Sequence, residues 1–239
     1  MQVKLTLHPV YPFTIPLNYN YQVQSTIYKI LQYNPQYASF IHDIGYGRQN
    51  TPFRLFTFGK IKGDYTIKDK KMWIAGDIQI EIRSVSEDFC NILKEALLAS
   101  QKIKLFNSEL RIKMIELDHY IVTKSEVKII TSSPIVAKSS DEQNRSFYFS
   151  PAEEEFQQLI NHNFRNKYYA YSNHETDAEI KIVSLNKSQK VVTKYKEIWI
   201  NAYRGKFLLT GEAWALDFLY QTGIGSHSSQ GFGMFDVIG

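Results

Sequence analysis

Residues 2–8, Gln2-Val3-Lys4-Leu5-Thr6-Leu7-His8, alternate polar and apolar, the period-two pattern of a strand with one buried face. Val23, Ile27, Ile30 and Leu31 then recur at helical spacing and predict a helix over 21–32. Pro35 opens and Gly45 closes a second short helix over 35–44. Residues 53–58 and 72–83 alternate again, the latter as Ile78, Ile80 and Ile82 against Gln79, Glu81 and Arg83. Ser86 is placed to cap a helix with Glu87 and Asp88 in its first turn, where carboxylates meet the positive end of the helix dipole. Its apolar stripe is Phe89, Ile92, Leu93, Ala96 and Leu97, and residues 110–117 close this half as a strand.

The second half repeats the order. Residues 127–130 read as a strand. Ser150-Pro151-Ala152-Glu153 has the form of a capping box, leading a helix marked by Phe156, Leu159, Ile160, Phe164 and Tyr168. Strands follow at 178–185, 190–193 and 197–210. Thr210 is placed to cap a helix to about Tyr220, and 232–238 is the last strand. Two β-α-β-β-α-β units predict an α+β chain of two tandem ferredoxin-like (RRM-like) domains, residues 1–120 and 121–239. Sheets of this kind carry helices on one face and leave a long cleft where two meet.

Composition narrows the class. The 239 residues are 44% hydrophobic and 22% charged, which excludes a disordered or fibrous chain. No apolar run approaches the ~20 residues of a membrane span, and residues 1–8 lack a signal peptide's apolar block. A single cysteine, Cys90, excludes an internal disulfide framework; together these features predict a cytoplasmic protein with no membrane partner. The net charge of +4 lies entirely in residues 1–120, with 15 Lys and Arg against 11 Asp and Glu. Residues 54–71 concentrate it: Arg54, Lys60, Lys62, Lys68, Lys70 and Lys71 against Asp64 and Asp69. Such a cluster suits either a polyanion or a plain solvated hairpin.

Gly223-Ile224-Gly225-Ser226-His227-Ser228-Ser229-Gln230-Gly231-Phe232-Gly233 joins the last helix to the last strand. Neither a dinucleotide turn nor a Walker loop fits: Ser228 stands where the former needs glycine, and Phe232 where the latter needs lysine. Two readings stay open, an anion-holding concavity of backbone amides with Ser226, His227 and Ser228 beside it, or a tight turn that seats the last strand.

The C-terminal run GIGSHSSQGFGMFDVIG, with PLNYNYQVQSTIYKIL, YASFIHDIGYG, FRLFTFG, SPIVAKS and YFSPAEEEFQQLINHNFRNKY before it, resembles the CRISPR-associated endoribonucleases that cut the repeats of precursor guide RNA. The resemblance runs in order over nearly the whole chain. It implies tandem ferredoxin-like domains with a C-terminal glycine-rich loop. It also implies metal-independent cleavage by attack of the ribose 2′-hydroxyl, leaving a 2′,3′-cyclic phosphate and a 5′-hydroxyl. By motif position the family's catalytic tyrosine, histidine and lysine fall on Tyr28, His42 and Arg54. The third is a departure, because arginine holds a phosphate but cannot shuttle a proton. Lys60 or Lys62 is the candidate replacement, and both are candidate RNA contacts with Gly223, Gly225, Ser226, His227, Ser228, Gly231 and Gly233.

An imidazole can serve as general acid or base near neutral pH, a tyrosine hydroxyl can orient the nucleophile, and a guanidinium can grip the phosphate. No cofactor is expected. The six histidines form no H-x-H or H-x-x-x-H pair, which argues against a metal site. The expected partner is CRISPR repeat RNA; other CRISPR effector proteins and a second copy of the chain are further candidates. Two rivals stand beside the nuclease: a non-catalytic repeat-RNA-binding subunit of the same fold, and a small-ligand or protein-interaction module in which the loop is purely structural.

Overall fold

The computed structural model describes residues 1–48 and 52–238. The first half runs β1 (Gln2–Pro9), β2 (Phe13–Pro16), α1 (Asn20–Leu31), α2 (Pro35–Ser39), a π-helical turn (Phe40–Ile44), β3 (Phe56–Phe58), β4 (Lys62–Lys68), β5 (Lys71–Ser84), α3 (Glu87–Ala99), β6 (Lys102–Leu105) and β7 (Ser108–Asp118). β5 is the spine. Its residues pair with β1 and β2 along one edge and with β3 and β4 along the other. β7 flanks β1, and β6 extends β7. The order β4-β5-β1-β7 places the second, third, first and fourth strands of the unit side by side and antiparallel, the ferredoxin-like arrangement. Ser86 caps α3 as predicted, accepting from the Phe89 amide. The stripe of α3 packs with Val3, Leu5, Ile80 and Ile82 in one core.

The second half runs β8 (Glu126–Thr131), β9 (Ala137–Ser140), β10 (Ser146–Phe149), α4 (Glu154–Ser172), β11 (Lys181–Ser184), β12 (Gln189–Tyr195), β13 (Ile198–Arg204), β14 (Lys206–Thr210), α5 (Ala213–Thr222) and β15 (Phe235–Val237). Its sheet order, β11-β14-β8-β15, repeats that of the first. Two hairpins, β9–β10 and β12–β13, are added outside it. No helix among the described residues is long and apolar enough to cross a membrane.

Several boundaries differ from the predicted ones for local reasons. The strand expected over 53–58 survives only as β3, because Leu55 takes a left-handed φ of 49° that breaks the extended run. That twist sends Leu55 into the second core while Phe56 enters the first. The strand expected over 197–210 is two strands, β13 and β14, split at Gly205. The capping box forms by half: the Ser150 amide donates to Glu153 Oε2 at 2.6 Å, but α4 begins at Glu154. Thr210 ends β14 rather than capping α5, which starts after Glu212.

The alternation in β5 points Arg83 away from the first core, and the second half covers it there. Arg83 is 1% exposed. Its Nη2 donates to Asp236 Oδ1 at 2.7 Å and also to Glu81, its Nε donates to Gln2 Oε1 at 3.0 Å, and its Nη1 donates to the Phe235 carbonyl. The guanidinium lies 3.8 Å from the centroid of the Tyr220 ring. Burial alone would push the Asp236 carboxyl up, but bonds from Ser132 and Arg83 outweigh it and hold the group below its usual range. Because the folded value lies below the unfolded one, this contribution to stability is complete above the ordinary carboxylate range. It is lost as the pH falls through the folded value. Arg83→Met, which strands two carboxylates, should lower the unfolding free energy by about 3 kcal/mol in denaturant titration at neutral pH; a loss under a tenth of that would show that the node does not hold the halves together.

Candidate functional site

Tyr28, in the last turn of α1, is half-buried with its ring edge-on to those of His42 (centroids 5.3 Å apart) and Phe56. Burial raises its hydroxyl above the usual range against the pull of the Arg54 charge beside it, so the phenol stays a proton donor. His42 stands in the π-helical turn that follows α2, whose start is fixed by Asn34 accepting from the Tyr37 amide. The imidazole is 64% exposed, and its Nδ1 lies 2.6 Å from Asp43 Oδ1. That bond, with a second from Ser39, holds the Asp43 carboxyl below its usual range. Nε2 lies on the far edge of the ring from that bond. Arg54 completes the group. Its Nη2 donates to the His42 carbonyl at 2.7 Å and its Nη1 to that of Ile44 at 3.4 Å. The guanidinium fits because Gly45, at φ 71°, has no side chain: a Cβ there would stand 2.1 Å from Nη1. The three residues assigned by resemblance are brought together.

The glycine-rich loop belongs to the second half and is seated on the first. Asn20 Nδ2 donates to the carbonyls of Gln230 (2.9 Å) and Gly231 (3.1 Å), Gln24 Nε2 to that of Ser229 (2.8 Å), and Thr57 to that of Phe232 (3.1 Å). Tyr195, from β12, donates in turn to Gln24. Part of the loop is tied into the fold by its own backbone. The amides of Gly223, Ile224, Ser226, Gln230, Gly231 and Gly233 all donate to backbone carbonyls within the fold.

What the loop encloses is a cation. Lys167, from α4, is 3% exposed, and its Nζ donates to the carbonyls of Gly223 (2.8 Å) and Gly225 (2.9 Å) and to Ser228 Oγ (2.6 Å). Burial pulls its ammonium down to about 7. His227 sits at a left-handed φ of 62°, and burial with the nearby Lys138 charge pushes its imidazole down to about 4, so it is neutral near pH 7. Among the described residues, its buried Nε2 has no hydrogen-bond partner.

Arg54 and the loop line one cleft of about 370 Å³. Lys138, Asn163 and Lys167 form its other wall, and no carboxylate is among the described residues lining it. His42 adjoins it through the bond that Arg54 makes to its carbonyl. Lys60 and Lys62 lie elsewhere. They line a separate cleft of about 470 Å³ at the seam, where Lys62 faces Asp236 at 3.6 Å and Glu81 at 4.0 Å. Burial and the charge of Arg204 pull the Lys60 ammonium down. Both thus line a different cleft from Arg54. Among the described residues, no three His, Cys, Asp or Glu side chains are grouped to hold a metal ion.

Sequence reasoning missed Lys167, Lys138, Asn163, Asn20 and Gln24, which are single polar residues on helices or hairpins. Only Lys167 carried a signal: it falls at the helical position three residues after Phe164, in the buried stripe of α4. The loop's seat gives a direct check. At Gly231, φ 82°, a Cβ would stand 2.4 Å from the Phe58 ring, so Gly231→Ala should destabilise the fold by about 2 kcal/mol or more in thermal or denaturant melts. An unchanged melt would mean that the loop does not pack on the first half as described.

Comparison with known proteins agrees with this architecture. Residues 14–116 match the family described as "CRISPR-associated protein Cas6, N-terminal", and residues 115–237 match "CRISPR associated protein Cas6, C-terminal". The chain is 26% identical over 240 residues to the CRISPR-associated endoribonuclease Cas6 1 of Methanocaldococcus jannaschii, covering 98% of this chain and 91% of that one. It is 24% identical over 232 residues to the CRISPR-associated endoribonuclease Cas6 of Pyrococcus furiosus, covering 95% and 85%. A solved CRISPR associated protein Cas6 superposes with a TM-score of 0.81 at 25% identity over 100% of this chain and 99% of that one. A Cas6-related protein from Pyrococcus furiosus does so with a TM-score of 0.86 at 22% identity over 100% and 98%. With both halves matched in order on two ferredoxin-like units, the chain belongs to the Cas6 family of CRISPR-associated proteins.

Proposed function

We propose that this chain is an endoribonuclease that cuts CRISPR repeat RNA into guide RNAs without a metal ion, using Tyr28, His42 and Arg54. In this division of labour residues 1–120 carry the catalytic group, and residues 121–239 carry the loop that holds the RNA through Gly223, Gly225, Ser226, His227, Ser228, Gly231 and Gly233. One observation carries the reading: an exposed imidazole, oriented by Asp43, meets a phenol and a guanidinium, and the guanidinium also lines a cleft with Lys138, Lys167 and the glycine-rich loop. A phosphodiester entering there meets Arg54, Lys138 and the charge of Lys167.

The chemistry follows from the groups. The 2′-oxygen forms its bond to phosphorus as its proton leaves, the bond from phosphorus to the 5′-oxygen breaks, and the departing oxygen takes up a proton. His42 Nε2 carries one of those two transfers, with Nδ1 fixed by Asp43. The guanidinium of Arg54, held by two backbone carbonyls, steadies charge on the non-bridging oxygens. Tyr28, kept protonated, donates a hydrogen bond to the reacting ribose or phosphate. Lys60 and Lys62 serve as contacts for RNA outside the cleavage cleft. The cytoplasm is the compartment this reading requires.

The replacement of lysine by Arg54 favours one rival, a subunit that binds the repeat and does not cut it. A single experiment separates them. Incubated in EDTA with a cognate repeat, the chain should yield a 2′,3′-cyclic phosphate and a 5′-hydroxyl, and replacing the 2′-hydroxyl at the cut by hydrogen should stop the reaction. Binding without cleavage supports the rival, and cleavage that needs a divalent ion refutes the mechanism. His42→Ala should slow single-turnover cleavage by ~100- to 10,000-fold and leave affinity within about threefold. An unchanged rate removes His42 from the chemistry.

A further inference from the structure

Lys167 has a role that the cleavage chemistry does not use. Four acceptors, the carbonyls of Thr222, Gly223 and Gly225 and the hydroxyl of Ser228, converge on its Nζ inside the fold. Without the Lys167 amino group between them, those oxygens would face one another in a dry pocket, and the loop would have to open. The shape of 223–233 therefore depends on a hydrogen-bond donor supplied by α4. Among the described residues, its charged form has no carboxylate against it. Its contacts are neutral oxygens, and the other ionisable groups lining the cleft are Arg54, Lys138 and His227. A buried charge with no counter-ion among the described residues is balanced best by an anion in the adjoining cleft.

We propose that Lys167 is a positioning residue that couples the glycine-rich loop to RNA: its amino group sets the loop's shape, and a phosphodiester in the cleft is the counter-ion of its charged form. This rests on the reading of the cleft as the RNA site. The coupling is reciprocal, so RNA binding must favour the protonated lysine. Since burial holds the free group at about 7, much of it is neutral at pH 8, and bound RNA draws a proton in. Affinity accordingly falls as the pH rises from 7 towards 9. Arg54 stays charged throughout, and Lys138 lies beside His227.

The test is titration calorimetry at pH 8 with repeat RNA made uncleavable by a 2′-deoxyribose at the cut, repeated in buffers of different ionisation enthalpy. Wild type should take up roughly half a proton per RNA, and K167R should bind while taking up less by that amount. K167M should bind about tenfold more weakly. Hydrogen exchange of the free proteins gives a reading independent of RNA: amides over 223–233 should exchange faster in K167M and close to wild type in K167R. Equal proton uptake in wild type and K167R overturns the coupling while leaving RNA binding intact. Unchanged loop exchange and affinity in K167M overturn the positioning role, and a wild type that binds no repeat RNA sinks the functional reading and the coupling with it.

Discussion

The molecule depends on a guanidinium that almost no water reaches. Arg83 leaves the end of β5 and is received by Asp236 and the Phe235 carbonyl of β15, so the spine strand of the first unit grips the last strand of the second. A buried ion pair contributes little to net stability compared with an apolar contact of the same size, but it has direction. Five donors in a fixed plane permit few mutual orientations of the two sheets. The Met1 ammonium adds a second tie across the same seam, to Gln221 at 3.0 Å. The cleft exists because that orientation is held. Its floor comes from one unit and its loop from the other.

Charge is arranged on the same logic. The seam is rich in carboxylates, with Glu81, Glu116, Asp118 and Asp236 around Arg83, whereas the described residues that line the cleft under the loop include none. The chain carries only a small net excess of positive charge, so affinity for a polyanion has to come from where the charges are unmatched. Lys167 is the extreme case, a cation surrounded by neutral oxygens under a loop of small residues. The glycines have a steric purpose here. They bring carbonyls close to the ammonium and let the loop lie against Phe58, while most of the loop's amides are spent on internal bonds.

Most elements could be read from periodicity because their buried faces repeat. β1, α1, β5 and α3 show one apolar face each, and the structure buries those faces. The repeated β-α-β-β-α-β order, and with it the fold class, follows from the same signal. What periodicity could not show is conformational or long-range. The left-handed turn at Leu55 and the break at Gly205 are single-residue events inside runs that look continuous. Arg83 reads as a solvent-side residue of its strand because the surface that buries it lies 152 residues further along. Of the site, resemblance located Tyr28, His42 and Arg54, and the structure brings them together. Lys60 and Lys62 looked equivalent to Arg54 in a basic run, yet β3 and the chain after it carry them to another cleft. Lys167 was legible only as a helix residue.

The central claim is that residues from the two halves meet one stretch of RNA. A repeat RNA with a photo-crosslinking group at the phosphate to be cut measures that directly, with the attached peptides identified after digestion. Crosslinks to both residues 42–54 and residues 223–230 are the predicted result. Crosslinks confined to one of these segments, at saturating protein, would contradict it.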